Sequence, residues 1–244
     1  MRLWFLFILA LVVASSQIEA ACIDPSRLAG STVSIVRELG KDERNAQSSE
    51  LTVGGTGWFV APQLIVTAAH VAEAMHLSEQ DWTEIEFRKR DSKSSIPVRI
   101  RRLIGSRSEK IAVLELKSSF SGAAVLQLRN EPLVPDEHIV SLAYPNGDLR
   151  TAAGRFVRYG ADEDKFAGTA LLEMHDGDDR LVLDHGASGA PVLDCEGRVV
   201  AVVTNLITQT ITFMSTAMRV PTAWQSPNVV SIPIREMKDL SWPE

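Results

Sequence analysis

The 244-residue sequence has only two cysteines, 6% aromatic residues, 15 Gly and 11 Pro. With 45% hydrophobic residues, that composition excludes disordered, collagen-like and coiled-coil chains. Positive charge is short as well: 25 Lys+Arg face 31 Asp+Glu, and the net charge of −6 argues against nucleic acid as the main partner. No apolar run reaches the roughly 20 residues that a bilayer-spanning helix needs, so no integral membrane association is expected. Internal repeats are lacking, and the only biased tracts are short Ser-rich pieces at Gln47 to Glu50 and Asp91 to Ser95, read as loop tips. What remains is a globular chain long enough to bury a full core, as one large domain or two small ones.

At the N-terminus, Arg2 precedes twelve apolar residues, Leu3 to Ala14, and then small and polar residues. This is the layout of a cleaved secretory signal peptide. Cleavage after Ala20 or Ala21 is expected, with Ser16 as another site, giving a signal peptide over 1–20 and a domain over 21–244, secreted or periplasmic. Residues 1–20 carry one Arg and one Glu, so export leaves the charge at −6. In an oxidising compartment Cys22 and Cys195 can pair across almost the whole domain. The alternatives are two free thiols or a lipid on Cys22, although Glu19 stands where a lipoprotein cleavage box wants an aliphatic residue.

Short β-branched and apolar stretches separated by turns predict an all-β chain. The first series is Thr32 to Arg37, Gly57 to Val60, Leu64 to Thr67, Glu84 to Phe87, Val98 to Leu103 and Ile111 to Leu116. The second is Ile139 to Ala143, Thr151 to Tyr159, Gly168 to Met174, Leu181 to Leu183, Pro191 to Leu193, Arg198 to Thr204 and Thr210 to Met214. Only Val71 to Leu77 and Pro233 to Leu240 read as helical. The Pro-bearing segment Leu126 to Glu137 reads as the connection between two β units of about 100 residues.

Two segments carry chemistry. Gly57-Trp58-Phe59-Val60-Ala61-Pro62-Gln63-Leu64-Ile65-Val66-Thr67-Ala68-Ala69-His70-Val71 puts a histidine where a strand gives way to a helical turn. Asp184-His185-Gly186-Ala187-Ser188-Gly189-Ala190-Pro191-Val192 puts a serine in a Gly-rich turn before a strand. A hydroxyl nucleophile needs an imidazole to take its proton, and small neighbours admit a substrate carbonyl. Glycine beside the serine frees backbone amides to face an oxyanion. All five His precede Ser188, which excludes the Ser-before-His order of α/β-hydrolases around this residue.

Thr67-Ala68-Ala69-His70 and Gly186-Ala187-Ser188-Gly189-Ala190-Pro191 resemble the histidine and serine motifs of trypsin-like serine peptidases, especially small exported bacterial ones. Ala190 stands in place of the usual Gly. The resemblance implies two six-stranded-type antiparallel β-barrels, about 28–125 and 133–232, closed by a short C-terminal helix, with the site in the cleft between them. It implies His70 as general base, Ser188 as nucleophile, and the amides of Gly186 and Ser188 as oxyanion hole. It implies an endopeptidase acting on polypeptide, with an inhibitor as the other expected partner and no metal or organic cofactor. The length leaves no room for a peptide-binding domain after the barrels, such as some exported relatives carry.

The third triad position departs from the family. The aspartate usually begins a strand that here reads Lys110-Ile111-Ala112-Val113-Leu114, so Lys110 stands in its place. A carboxylate there fixes the histidine tautomer and stabilises the imidazolium, which a charged lysine cannot do. Glu109 is the nearest substitute, but strand alternation aims it at the opposite face unless a bulge re-aims it. Asp81 and Asp91 are weaker substitutes, and the remaining alternative is that His70 has no carboxylate partner. The alternative function is a non-catalytic polypeptide-binding pseudoprotease.

By the same resemblance Val182, Leu183 and Val203 line an apolar specificity pocket that prefers aliphatic side chains. His185 reads as pocket wall, His76 as a face of the short helix, and Asp176, Asp178 and Asp179 as an exposed turn with no calcium-binding spacing. Arg88-Lys89-Arg90 with Arg99, Arg101 and Arg102 read as a solvated strand face, or as a docking patch for an acidic partner. Tyr144-Pro145-Asn146-Gly147 reads as a turn.

Overall fold

The computed structural model describes residues 22–43, 52–89, 92–105, 109–163, 165–175, 185–213, 216–221 and 226–237. The expected signal peptide, Asp91, Val182, Leu183 and the acidic turn at 176–179 lie outside them. No helix among the described residues is long and apolar enough to cross a membrane.

The first unit contains β1 (Thr32–Glu38), β2 (Thr52–Ala61), β3 (Leu64–Ala68), α1 (Ala69–Ala74), β4 (Thr83–Lys89), β5 (Ser92–Gly105) and β6 (Lys110–Leu116). Its six antiparallel strands close in the order β1-β2-β3-β6-β5-β4, the seam being β1 against β4 with Ile35 opposite Phe87. The second unit contains β7 (His138–Ala143), β8 (Arg150–Tyr159), β9 (Ala170–His175), β10 (Pro191–Leu193), β11 (Val199–Leu206), β12 (Thr208–Phe213), β13 (Thr216–Pro221) and β14 (Val229–Pro233). It closes in the order β10-β11-β14-β9-β8-β7, while β12 and β13 form a separate hairpin. The fold is thus the double barrel expected from the motifs.

Strand sequence follows from which faces are covered. Val33, Ile35, Phe59, Ile65, Phe87 and Leu114 fill the first barrel, and Ile139, Phe156, Leu172, Val192, Ala201 and Val203 fill the second. Between the barrels, Trp58, Val66, Ile111, Val113, Leu142, Val202 and Ile232 form a third cluster. β3 and β6 therefore bury both faces, which is why Leu-Ile-Val-Thr-Ala and Ile-Ala-Val-Leu show no polar alternation. Toward the barrel rim the opposite holds. The Ser-rich start of β5, expected to be a loop tip, pairs Lys93 with Arg88 and Ser94 with Phe87, because a strand end facing solvent needs no apolar side chain.

Two helical expectations change. The helix expected over Val71 to Leu77 starts at Ala69, so His70 lies in its first turn. In place of an α-helix over Pro233 to Leu240, the described residues Ile234–Met237 make one 3-10 turn. The apolar run just before it, not recognised as a strand, is β14, hydrogen-bonded between β11 and β9.

Cys22 and Cys195 are paired, 173 residues apart, and the Ile23 amide donates to the Cys195 carbonyl at 3.0 Å. The same β10–β11 hairpin holds Asp194, 3% exposed, whose carboxylate accepts from the Glu196 and Arg198 amides at 3.0 and 2.9 Å and from Arg198 Nε at 2.8 Å. Cross-linking residues so far apart constrains the unfolded chain strongly. Replacing both cysteines by serine is expected to cost about 2–4 kcal/mol in a urea titration while leaving the far-ultraviolet circular dichroism of the folded state unchanged.

Candidate active site

His70 and Ser188 come from different barrels and line one cavity of about 410 Å³. β3 ends at the fully buried Ala68, and His70 is the second residue of α1. Gly55 of β2 passes directly behind this turn, where there is no room for a side chain. A Cβ on Gly55 would lie 2.6 Å from Val71 Cγ1 and 3.3 Å from the Ser188 carbonyl oxygen.

Ser188 sits in a turn shaped by two glycines with left-handed backbones, Gly186 at φ +97° and Gly189 at φ +93°. A Cβ on Gly186 would stand 2.6 Å from the Tyr144 carbonyl oxygen, so no larger residue fits that turn. The Gly189 amide donates to Val203 O at 2.8 Å and the Ala190 amide to Ala187 O at 3.0 Å. The amides of Gly186 and Ser188 donate to no acceptor among the described residues.

Thr56 of β2 joins this turn to the first barrel and was not singled out from the sequence. Fully buried, it donates its amide to Ser188 O at 2.9 Å and its hydroxyl to Gly186 O at 2.7 Å. The same hydroxyl accepts from the Tyr144 amide at 2.9 Å, and the Thr56 carbonyl accepts from Thr67 Oγ1 at 2.8 Å. A threonine in a strand carries no local signal of such a role.

The Ser188 hydroxyl donates to the Thr204 carbonyl on β11 at 3.2 Å. No hydrogen bond joins it to His70 among the described residues. His70 keeps a solvent-exposed edge, yet the protein around it is dense enough that desolvation is the strongest influence on its pKa. Burial lowers that pKa below the ordinary 6.5, while the negative charges of Glu109 and Glu73 oppose the shift. The ring is therefore neutral at pH 7.

Glu109 is half-buried and precedes β6, so strand alternation does not bind it. The register shift in the β5–β6 pair lies at Ile100/Arg102, away from this end, and no bulge is involved. Its Oε1 accepts from Asn205 Nδ2 of β11 at 2.7 Å, across the cleft, and its charge reaches His70 through space. Lys110 is exposed, opposite Gly105, and is not among the charges His70 feels. Asp81 is engaged with Ser78, whose hydroxyl donates to its carboxylate at 3.2 Å.

Of the expected specificity residues only Val203 is described, 2% exposed and packed in the second barrel's core. His185 is exposed on the cavity wall, and the segment after Tyr144 is the expected turn, a single 3-10 turn over Pro145–Gly147, with Tyr144 itself buried. His76, at φ +52°, closes α1 from an exposed position. Arg99 pairs with Glu115 at 2.8 Å, and its guanidinium stacks over Trp82.

Comparison with known proteins agrees with this architecture. The trypsin-like peptidase domain family matches residues 55–202, more than half of the chain, and the chain belongs to that family. Among solved structures, the Rv3671c protease of M. tuberculosis in its active form is similar at TM-score 0.56 and 18% identity, over 87% of this chain and 80% of that one. Its inactive form gives TM-score 0.56 and 17% identity over 88% of each chain. The HtrA-type protease AlgW with a tripeptide gives TM-score 0.55 and 14% identity, over 86% of this chain and 58% of that one. At these identities the likeness is one of fold. No curated protein matches by sequence.

Thr56→Val keeps the shape of the side chain and removes the hydroxyl, leaving the Gly186 carbonyl and the Tyr144 amide without a buried partner. A loss of about 2 kcal/mol is expected in urea unfolding, with Thr56→Ser recovering most of it.

Proposed function

We propose that the protein is an exported serine endopeptidase that opens peptide bonds through an acyl-enzyme on Ser188. The observation that carries the proposal is the meeting of three features in one cleft: a neutral imidazole, a half-buried serine, and two backbone amides without acceptors. In this reading the Ser188 hydroxyl turns from Thr204 toward His70 as substrate arrives, and His70 takes its proton while Oγ attacks the carbonyl carbon. The Gly186 and Ser188 amides receive the oxyanion. His70 then gives the proton to the departing amine, and water repeats the sequence on the acyl-enzyme.

Glu109 takes the part of the missing aspartate as an electrostatic partner of the imidazolium, held by Asn205. Loss of an orienting aspartate costs roughly 10⁴ in turnover, or about 5.5 kcal/mol of transition-state stabilisation. The enzyme is therefore expected to be slow. The export signal over 1–20, a secreted or periplasmic location and an aliphatic pocket from Val182 and Leu183, with Val203 packed in the barrel core instead, complete the proposal.

One observation favours a second reading, a non-catalytic polypeptide-binding protein: the Ser188 hydroxyl is bonded to Thr204 and not to His70. A fluorophosphonate probe separates the two. Labelling that disappears in Ser188→Ala and falls in His70→Ala supports the peptidase, whereas no labelling beside a labelled control protease supports the binding protein.

The pH dependence of labelling tests Glu109. Because burial depresses the His70 pKa, the rate is expected to rise with pH along a limb centred below 6.5. Glu109→Gln removes a negative charge that stabilises the imidazolium, so the limb moves to lower pH and the plateau falls. An unmoved limb would mean that Glu109 does not act on His70.

A further inference from the structure

The cavity shared by His70 and Ser188 is also lined by residues of β1, β2 and β4. Val36, Val53 and Arg88 line it, as does His185 near Ser188. No carboxylate is among the described residues that line it, although the chain as a whole is acidic. Glu109 and Glu73 act on the cavity at His70, so the positive charge that faces it is concentrated at Arg88.

Arg88 is tied back only through Nε, which donates to Glu86, and its Nη groups donate to no described residue. The Glu86 carboxylate is itself shared with Lys93, 3.6 Å away, so the trio keeps a net positive charge. The guanidinium is 37% exposed, anchored by one edge and presenting its other donors. Such a fork suits a carboxylate, which can accept two parallel bonds from it.

We propose that this cavity receives the substrate residues that follow the scissile bond, and that Arg88 selects an acidic side chain among them. The direction of the chain rests on the assignment of His70 and Ser188 above. His70 must deliver its proton to the departing amine, and it lines this cavity together with Ser188. The substrate class is thus a polypeptide with an acidic segment on the leaving-group side. Arg88 is a specificity residue and takes no part in bond breaking.

The test uses the Ser188→Ala protein, so that nothing is cleaved, and fluorescence anisotropy with three peptides. They share one aliphatic residue and differ in the two residues after it: Glu-Glu, Gln-Gln or Lys-Lys. At low salt the Glu peptide is expected to bind about tenfold tighter than the Lys peptide, a gap that narrows as salt rises. Arg88→Gln removes the preference, Arg88→Glu reverses it, and Glu86→Gln, which frees the guanidinium, widens it. Equal affinity for the three peptides, including no affinity for any, overturns the proposal, as does a preference that survives in Arg88→Gln. Fluorophosphonate labelling of the unsubstituted protein reports separately on the peptidase assignment. Acid-selective binding without labelling therefore sinks that assignment and the chain direction that rests on it while Arg88 keeps its selectivity, and labelling without acid selectivity sinks only this proposal.

Discussion

Everything at the cleft depends on a buried hydroxyl shared between two barrels. Thr56 belongs to the first barrel, yet its side chain and amide hold the backbone of the serine turn and the start of the Tyr144 turn, both in the second. A buried polar group is costly unless every partner is in position, so this one specifies a single relative arrangement more sharply than the apolar interface beside it can. Trp58, Val66, Ile111 and Val202 press the barrels together without fixing their register. The threonine fixes it.

A second constraint acts where Lys110 stands in the expected aspartate's position. The start of β6 presents a cation to solvent, and the carboxylate one residue earlier is free of the ladder and reaches Asn205 on the facing barrel. Its negative charge therefore acts on the imidazole from outside hydrogen-bonding contact. A through-space charge can favour the imidazolium but cannot select a ring tautomer as a directed hydrogen bond does. His70 accordingly has a negative charge nearby but no hydrogen-bonded carboxylate among the described residues.

The sequence made the two motifs legible because each is continuous: Thr67 to His70 and Gly186 to Pro191 carry their small residues, turn glycines and reactive side chain within a few positions. The barrels were legible for a related reason, since β3, β6 and β11 are apolar runs too short for helices. What stayed hidden depends on pairing between distant segments. Thr56 looks like any strand threonine, Asn205 like a strand-end polar residue, and the Ser-rich start of β5 like a loop, because the partner that gives each its place is far along the chain. Val229–Pro233 was missed for another reason: flanking prolines masked an apolar run as a loop leading to a helix. The placement of Glu109 was misjudged by applying strand alternation to a residue just outside the strand.

The bond network around Thr56 also links chemistry to the completeness of folding. The contact between Thr56 and Gly186 spans 130 residues, and it holds the turn that carries the serine. The histidine is delivered by a barrel finished long before that turn emerges from synthesis. A chain with only its first barrel assembled thus holds His70 without the turn that faces it, and the backbone around Ser188 meets Thr56 only when the second barrel closes against the first. The cleft that His70 and Ser188 share therefore exists only while the two halves of the molecule stay in contact.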